Sequence, residues 1–252
     1  MSRAPRRQRL DLLLVERGLA ESRTRAQALV MAGAVVVGEA RVDKPGTLVD
    51  PGLPIRVKEE AAPRRWASRG AEKLLRALEE FPVDPRGWVC ADLGASTGGF
   101  TDVLLERGAA RVYAVDVGYG QLHPRLRADP RVVVRDRQNA RALTAAALGE
   151  PVDLVVGDLS FISLKLVLPA VKALLRPGGQ AILLVKPQFE VGKGEVGKGG
   201  VVREVAKRTA ALEGVIQAAR VLGFEVLGQA ESPILGPAGN REWLLGLEAR
   251  SG

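Results

Sequence analysis

One stretch, residues 89–100 with the sequence VCADLGASTGGF, limits what this chain can fold into more than any other. An apolar run ends in an acid, and a row of small residues separates it from a helical pattern that resumes at Thr101. This order is typical of a buried parallel strand that turns sharply into a helix. Glycines in such a turn let a ligand approach the backbone, and the first amide groups of the helix can donate hydrogen bonds to it. The stretch therefore predicts an α/β fold with a ligand site at this turn.

A second acid indicates that the ligand is nucleotide-like. Asp116 lies in another apolar run, 22 positions after Gly94, a spacing that suits a carboxylate binding two ribose hydroxyls. A dinucleotide fingerprint would have glycine in place of Ser96, which weakens that interpretation. Enzymes that use S-adenosylmethionine tend to show an acid and then small residues at alternate positions, here Asp92, Gly94, Ser96 and Gly98. A plain structural turn in another α/β enzyme remains the alternative at this point.

The composition is that of an ordinary globular protein. With 252 residues, of which 46% are hydrophobic and 26% charged, the chain can form one large core or one domain and a small module. Residues 1–8 are polar and basic, and no run approaches the roughly 18 apolar residues of a membrane span. The single cysteine, Cys90, excludes an intrachain disulfide and a cysteine-built metal site. We therefore expect a cytoplasmic protein that needs neither a membrane nor a metal.

The positive charge is concentrated in the first quarter of the chain. Residues 1–70 contain 14 Lys or Arg against 8 Asp or Glu, which accounts for +6 of the net charge of +8. Basic patches of this kind supply phosphate-directed affinity for nucleic acid. A basic surface that serves only solubility is the alternative that charge alone leaves open.

Residues 8–58 are predicted to form a compact unit of two short helices and a few strands. Leucines at helical spacing predict a helix over 9–18, and Ser22 is placed to cap a second helix over 23–32. The run SRTRAQAL (22–29) followed by GAV (33–35) resembles the αL RNA-binding module of a ribosomal protein and of rRNA-modifying enzymes. In that family the second helix docks on structured RNA through its basic N-terminal end, which here would be Arg23 and Arg25. Gly38-Glu39 stands where the family usually has Asn-Gly, a departure confined to a hairpin turn.

The pattern predicts three parts: residues 1–60 as the αL-type module, 61–67 as a linker and 68–252 as a second domain. Pro63 and the following arginine pair favour the linker. We predict that Arg9, Arg64 and Arg65 also bind RNA. Trp66 is predicted to pack against a domain, with stacking on a base as the alternative.

Strand-like and helix-like segments alternate through the second domain, after a helix that contains Lys73. The pattern predicts strands at 111–117, 131–134, 152–157 and 180–185, and helices near 121–128, 140–148, 163–175 and 203–222. Such alternation predicts a parallel, doubly wound sheet. Two final strands, 225–230 and 242–247, lack a helix between them, so the last is predicted to enter antiparallel. That ending is typical of class I methyltransferases rather than of dinucleotide dehydrogenases.

Charged residues at strand ends indicate where chemistry should occur, because ligands bind beyond the carboxyl ends of parallel strands. Asp92, Asp116 and Asp158 follow or end such strands, and Glu242 precedes the last one. Lys186 follows four apolar strand residues, where a charge is costly unless it is paired. A lowered pKa would let this lysine act as a base. A lysine that simply reaches solvent is the alternative.

The absence of other motifs narrows the methyl-transfer chemistry. Methylation of cytosine C5 needs a cysteine nucleophile on a loop, but Cys90 lies inside a predicted buried strand. Methylation of a base amino group usually uses an Asn/Asp-Pro-Pro-aromatic turn, whereas residues 158–161 are DLSF. Methylation of a hydroxyl remains, and it requires an in-line donor and a base or positive charge beside the oxygen.

Residues 92–100, DLGASTGGF, are similar to the cofactor loop of FtsJ-type RNA 2′-O-methyltransferases, with Thr97 where proline is commoner. That family uses a Lys-Asp-Lys-Glu tetrad, and the matching positions are Lys73, Asp158, Lys186 and Glu242. An αL module joined to such a domain is the architecture of the TlyA, or haemolysin A-like, family. The blocks VDVGYGQL (115–122), VGDLSFISL (156–164) and GNREWLL (239–245) are similar to that family's own. The resemblance implies a class I, Rossmann-like methyltransferase fold with a seven-stranded, mostly parallel sheet.

The same resemblance implies transfer of a methyl group from S-adenosylmethionine to the 2′-oxygen of cytidine in rRNA or ribosomal subunits. Lys186 would deprotonate or orient the hydroxyl, beside Asp158. Lys73 and Glu242 would fix charge and geometry. Cofactor contacts are expected from Asp92, Gly94, Ser96, Thr97, Gly98, Gly99, Phe100, Asp116, Val117, Asp136 and Asn139. For the last two of these, a plain surface loop is the alternative.

The glycine-rich segment 191–200 is predicted to be a mobile lid whose Lys193 and Lys198 meet RNA phosphates, with a flexible linker as the alternative. His123, the lone histidine, is predicted to be a surface residue at a helix start. An RNA-binding ribosome-assembly factor that keeps the fold without the activity is the alternative function, and the filled tetrad opposes it. A lytic activity has no amphipathic or transmembrane segment to support it. The sequence does not indicate an oligomeric state.

Overall fold

The computed structural model describes residues 7–20, 22–31, 34–57, 66–192, 194–197 and 199–250. The chain separates into two compact units, residues 1–65 and 66–252. Most of the predicted linker, including Arg64 and Arg65, lies outside the described residues, as do Lys193 and Lys198 of the predicted lid.

The first unit is a small α+β structure. Its described elements are β1 (Gln8–Arg9), α1 (Leu10–Glu16), α2 (Arg23–Met31), β2 (Val35–Val37), β3 (Ala40–Arg41), β4 (Leu48–Val49) and β5 (Ile55–Val57). Strand β1 pairs antiparallel with β4, and β2 lies between β3 and β5. Leu10 and Leu14 of α1 and Ala26 and Val30 of α2 have no exposed surface. Residues four positions apart share a helix face, so each helix buries one stripe in a common core.

The second unit is a sheet covered by helices on both faces. Its described elements are α3 (Ala71–Glu80), β6 (Val89–Leu93), α4 (Gly99–Glu106), β7 (Arg111–Val115), α5 (Pro124–Arg127), β8 (Val132–Arg135), α6 (Ala145–Leu148), β9 (Val152–Gly157), α7 (Leu168–Leu174), β10 (Leu175–Val185), α8 (Pro187–Glu190), α9 (Val205–Val221), β11 (Phe224–Glu231) and β12 (Trp243–Ala249). Two 3-10 turns, Ala140–Ala142 and Leu164–Leu166, complete it. One buried cluster includes residues of α7 and α9, and a second includes residues of α3 and α4.

The sheet has seven strands in the order β11-β12-β10-β9-β6-β7-β8. Strands β10, β9, β6, β7 and β8 run parallel, whereas β12 is antiparallel to both of its neighbours. The predicted parallel sheet with a late antiparallel strand is therefore confirmed. Because β12 is antiparallel, its first residue lies beside the end of β10, with Trp243 opposite Val185.

Two predicted helices are wrong in their extent. The helix predicted over 140–148 is a 3-10 turn followed by the four-residue α6, because the side chains of Asn139 and Thr144 each cap a new turn. The helix predicted over 163–175 is divided in the same way, with Pro169 in the first turn of α7, where its missing N–H is not needed. Trp66 packs against the α3–α4 side of the core, which confirms the packing prediction.

Candidate active site

The strand ends bring charged side chains to one edge of the sheet. Strands β7, β9 and β10 are followed directly by Asp116, Asp158 and Lys186. Glu242 precedes β12, whose start lies beside the end of β10. Lys73 reaches the same edge from the first turn of α3. Five side chains that are far apart in the sequence therefore converge because of the strand order.

Four of them form a continuous chain of alternating charge. Nζ of Lys73 donates to Oε2 of Glu242 at 2.8 Å and to Oδ2 of Asp158 at 3.0 Å. Nζ of Lys186 lies 2.5 Å from Oδ1 of Asp158 and donates to Oγ of Ser160 at 2.8 Å. The predicted tetrad is thus assembled, with Asp158 between the two lysines and Ser160 as a further partner.

Burial makes this cluster electrostatically strong. The side chains of Lys73 and Lys186 are each 7% exposed, that of Asp158 is 23% exposed and that of Glu242 is fully buried. Burial alone would lower the pKa of Lys73, but the Asp158 and Glu242 carboxylates outweigh it and hold that pKa above its ordinary value. Burial would likewise raise the pKa of Asp158, but Lys186 and Lys73 outweigh it and hold that pKa below its ordinary value. Both shifts favour the charged forms of Lys73 and Asp158, which are coupled as an ion pair at the centre of the cluster.

The loop before β12 is shaped around Glu242. A Cβ atom on Gly236 would clash with Oε1 of Glu242, so a larger residue at this position would displace the carboxylate. Asn240, 1% exposed, accepts from the N–H of Val202 at 2.9 Å and donates to the carbonyl of Gly200 at 2.8 Å. Asn240 therefore ties the end of the glycine-rich segment to the loop that carries Glu242.

A cavity of about 480 Å³ opens at the ends of β6, β7 and β9. Its lining includes Gly94, Ser96, Val115, Asp116, Val117, Gln121, Gln138, Asn139, Ala140, Asp158, Leu159, Ser160, Phe161, Ile162 and Val167. Its size fits a nucleoside-sized ligand, since small-molecule cavities usually measure about 300–1,000 Å³. Five of the predicted cofactor residues line it, namely Gly94, Ser96, Asp116, Val117 and Asn139.

Asp116 fixes the turn that forms one wall of this cavity. Its carboxylate accepts from the backbone N–H of Ser96 at 2.8 Å and from that of Gly118 at 2.7 Å. Gly94 and Ser96 have φ values of 79° and 48°, in the left-handed region that glycine adopts freely and serine rarely. A Cβ on Gly94 would also lie 3.2 Å from the carbonyl oxygen of Asp158. The turn therefore brings the β6 and β9 loops close together.

Asp92 does not line the cavity. Its carboxylate is 1% exposed and accepts from both N and Oγ1 of Thr101, at 2.9 and 2.7 Å, which fixes the start of α4. Burial raises the pKa of Asp92 to about 7, against these two hydrogen bonds. Asp92 therefore shapes the turn from inside the core.

The remaining predicted cofactor residues also lie away from the cavity lining. Gly98 and Gly99 allow close packing, since a Cβ would lie 2.3 Å from a Leu126 methyl group in one case and 2.2 Å from Oγ of Ser68 in the other. Phe100 is buried in the core. The backbone carbonyl of Thr97 accepts from the N–H of His123, the exposed N-cap residue of α5, which was predicted as a surface residue at a helix start. Asp136 accepts from Arg127 at 2.9 Å and from the backbone of Gly120 at 3.3 Å.

A second cavity, of about 310 Å³, shares two lining residues with the first. It is lined by Ser160, Phe161, Lys186, Gln188, Phe189, Val196, Gly200, Pro237, Ala238, Asn240 and Glu242. Phe161 has a φ of 64° and is 92% exposed, and its ring centroid lies 5.4 Å from that of Phe189. Sequence reasoning missed Ser160, Phe161 and Asn240 as site residues. The first two lie two and three positions after Asp158 in the DLSF block, so their position was the signal that could have found them.

Two of the residues predicted to bind RNA share one partner in the first unit. Arg9 and Arg23 both donate to the buried carboxylate of Asp11. Arg25 lies in α2. None of the helices that the structure describes is both long enough and apolar enough to cross a membrane.

The comparisons with known proteins agree with this geometry. Residues 66–249 match the FtsJ-like methyltransferase family, and residues 8–55 match the S4 domain. A protein from Listeria monocytogenes assigned to the S-adenosylmethionine-dependent methyltransferases has a TM-score of 0.55 at 16% identity, covering 73% of this chain and 100% of that one. This likeness shows the fold alone. Fold and site thus define a class I methyltransferase that carries an S4 RNA-binding domain.

Two full-length similarities are more specific. The chain is 51% identical over 246 residues to the 16S/23S rRNA (cytidine-2′-O)-methyltransferase TlyA of Mycobacterium tuberculosis, covering 98% of this chain and 91% of that protein. It is 43% identical to a Streptococcus thermophilus structure assigned as a hemolysin, with a TM-score of 0.74, covering 99% of this chain and 90% of that one. The chain belongs to the TlyA family of FtsJ-like methyltransferases.

Proposed function

We propose that this protein transfers a methyl group from S-adenosylmethionine to the ribose 2′-hydroxyl of cytidine in rRNA. The observation that carries the proposal is the meeting of the two cavities at the tetrad. Both cavities share Ser160 and Phe161, and Asp158 faces the first while Lys186 and Glu242 face the second. This arrangement suits a reaction in which the cofactor occupies the first cavity and the target nucleotide occupies the second.

The first cavity has the features that S-adenosylmethionine requires. The Asp116 carboxylate in its wall is suited to bind ribose hydroxyls, and the lining combines further polar residues, including Ser96 and Asn139, with apolar ones. When bound, the cofactor supplies a methyl group on a positively charged sulfur atom. We assign the other predicted residues of this region, Asp92, Gly98, Gly99 and Phe100, to shaping the turn rather than to contact.

The tetrad supplies positioning and charge to the reacting hydroxyl. Lys186 lines the second cavity beside Asp158, which lines the first, so we assign it to the 2′-oxygen, which it orients and whose developing negative charge it stabilises. The oxygen–carbon bond forms as the carbon–sulfur bond breaks, and the hydroxyl proton is released to solvent. Asp158 holds Lys186 from one side and Ser160 holds it from the other. Lys73 and Glu242 complete the buried network, so that Asp158 keeps one position. Such preorganisation lowers the barrier because the charges need not rearrange during the reaction.

The substrate assignment rests on the S4 domain and on the relatives. The S4 match and the basic first unit support binding to structured RNA, and the Mycobacterium tuberculosis relative is named for 16S and 23S rRNA. We assign RNA contacts to Arg9, Arg23 and Arg25, and extend the proposal to Arg64, Arg65, Lys193 and Lys198. The partner is therefore rRNA, free or within ribosomal subunits.

The test is label transfer from isotopically labelled S-adenosylmethionine to ribosomal subunits and to naked rRNA, followed by mapping of 2′-O-methyl sites. We expect transfer to cytidine by the unmodified protein and a loss of at least about a hundredfold in Lys186→Ala, with cofactor affinity unchanged. Lys207→Ala, which removes a partly exposed lysine paired with Glu204, is the matched control. RNA binding without any transfer by the unmodified protein would instead favour a ribosome-assembly factor.

A further inference from the structure

Asp11 in the S4 unit is a buried carboxylate between two exposed arginines. Its side chain has no exposed surface, whereas those of Arg9 and Arg23 are 43% and 54% exposed. Arg9 donates from Nε to Oδ1 at 3.0 Å and from Nη2 to Oδ2 at 2.9 Å, which makes a bidentate pair. Arg23 donates from Nε to Oδ2 at 3.1 Å. One carboxylate therefore fixes the position of two guanidinium groups.

The carboxylate also joins three elements of the unit. Arg9 ends β1, Asp11 lies in the first turn of α1, and Arg23 begins α2. Nε2 of Gln27, one turn further along α2, donates to Oδ2 of Asp11 at 3.0 Å, and the N–H of Leu12 donates to Oδ1 at 3.0 Å. Hydrogen bonds from Arg9, more than those from Gln27 and Arg23, hold the pKa of Asp11 well below its ordinary value despite burial. At neutral pH this group is therefore a fixed anion.

The composition of the unit makes the position of its arginines important. Residues 1–65 contain no Phe, Trp, Tyr or His. Aromatic stacking, which carries much of the affinity of many RNA-binding surfaces, is therefore unavailable to this part of the chain. Cations and hydrogen-bond donors must supply its RNA contacts.

We propose that Asp11 is a positioning residue for RNA docking, which holds the guanidinium groups of Arg9 and Arg23 side by side on the S4 unit. The proposal rests on the proposed function, in which this unit binds rRNA. Long side chains that are already ordered lose less conformational freedom when they meet phosphates. The outward N–H groups of the two arginines would contact the RNA, while Asp11 itself would not.

This positioning role and the net charge of the unit predict opposite changes in RNA affinity when Asp11 is removed. An acid within a basic surface lowers its attraction for phosphate, so its removal should tighten RNA binding if charge alone mattered. If Asp11 positions the arginines, its removal should weaken binding although the unit becomes more positive. Asp43→Asn is the matched control, because it removes one exposed carboxylate from the same unit.

The experiment measures the dissociation constants of the full-length protein for naked rRNA and for ribosomal subunits. We expect Asp11→Asn to weaken binding by roughly three- to tenfold, with Asp43→Asn unchanged or tighter. The double change Arg9→Ala with Arg23→Ala should weaken binding when Asp11 is intact. It should weaken binding by a smaller factor when Asp11→Asn is already present, because the same contacts have been partly lost.

Three outcomes distinguish failure of the positioning role, failure of RNA docking and loss of the fold. Binding by Asp11→Asn that is as tight as in Asp43→Asn overturns the positioning role. Unchanged binding when both arginines are replaced overturns RNA docking by this surface, and with it this part of the proposed function. Far-UV circular dichroism shows whether Asp11→Asn keeps the S4 unit folded. If it does not, Arg9→Lys and Arg23→Lys decide: each keeps the charge but loses the guanidinium geometry, so undiminished binding overturns the proposal.

Discussion

Asp11 and Asp158 are both carboxylates placed between two cations, but the cations differ in exposure. Arg9 and Arg23 keep 43% and 54% of their side-chain surface in contact with solvent. The two lysines that flank Asp158 keep 7% each. The first arrangement presents positive charge outward, and the second keeps it within a cavity.

The difference shows how a carboxylate placed between two cations can serve two purposes. Exposed guanidinium groups are available to any phosphate that approaches, and salt screens that attraction. The buried lysines are balanced by a second acid, Glu242, so their charge acts only on an atom that enters the cavity. The first arrangement favours affinity, and the second favours stabilisation of a reacting oxygen.

Replacing the central acid of the buried arrangement should have the largest effect. Asp158→Asn removes the charge that holds both Lys73 and Lys186, so we expect the rate of methyl transfer to fall by about a thousandfold. Single-turnover transfer at saturating RNA and cofactor measures this loss, and Glu231→Gln, in an exposed pair with Arg241, is the control. A loss of less than about tenfold would show that Asp158 is not central to the reaction.

Replacing Glu242, the acid at one end of the buried chain of charges, should chiefly reduce stability. Glu242→Gln leaves Lys73 with a single anionic partner in a buried site, and we expect the free energy of unfolding to fall by about 3 kcal/mol. The exposed control Glu231→Gln should cost less than about 1 kcal/mol. Urea unfolding followed by tryptophan fluorescence measures both, because Trp66, Trp88 and Trp243 all lie in the second unit. Equal losses in the two variants would contradict the distinction between buried and exposed pairs.

The sequence predicted the second unit well where its signals were regular. Apolar runs separated by helical patterns determined the parallel strands, and the missing helix before residues 242–247 indicated the antiparallel β12. The strand order then brings Lys73, Asp158, Lys186 and Glu242 together, because parallel strands end at one edge. The position of each catalytic candidate was thus accessible from its place relative to a strand.

The direction in which an individual side chain points could not be predicted from its position relative to a strand. Asp92 and Asp116 both follow apolar runs, yet one carboxylate turns into the core towards Thr101 and the other lines the cavity. Asn240 contacts Gly200 and Val202, about 40 positions away, and no spacing rule predicts that contact. These features depend on tertiary packing, which local patterns do not describe.

Asp92 is a buried carboxylate to compare with Asp11 and Asp158. Its hydrogen-bond donors come from Thr101 rather than from cationic side chains. In the folded state its carboxyl keeps a proton up to about pH 7, whereas in the unfolded chain it loses the proton near its ordinary pKa of 3.8. Folding therefore takes up a proton between these values, so this group's contribution to stability falls as the pH rises from about 4 to about 7. Asp158, with a lowered pKa, has the opposite effect and loses its contribution as the pH falls.

Asp92→Asn should therefore flatten the decline in the free energy of unfolding between about pH 4 and pH 7. Urea unfolding at a series of pH values, followed by tryptophan fluorescence, provides the measurement. Asp129→Asn is the control, because the hydrogen bonds from Arg131 lower the pKa of Asp129 and its titration lies below this range. An unchanged pH dependence in Asp92→Asn would mean that the carboxylate is already ionised when folded.

The smallest effect is expected at Ser160, the neutral partner of the buried arrangement. Its hydroxyl accepts from Lys186 at 2.8 Å, and a hydrogen bond to a charged group contributes about 1.5–3 kcal/mol. Because Asp158 still holds the lysine, we expect Ser160→Ala to slow methyl transfer by only about tenfold, mainly through kcat. Ser160→Thr should restore most of the rate because it keeps the hydroxyl, whereas Thr144→Ala, which removes the cap of α6, should leave the rate unchanged. If Ser160→Ala matched the loss in Asp158→Asn, the lysine would be positioned by the neutral hydroxyl rather than by the carboxylate, and the parallel between Asp158 and Asp11 would fail.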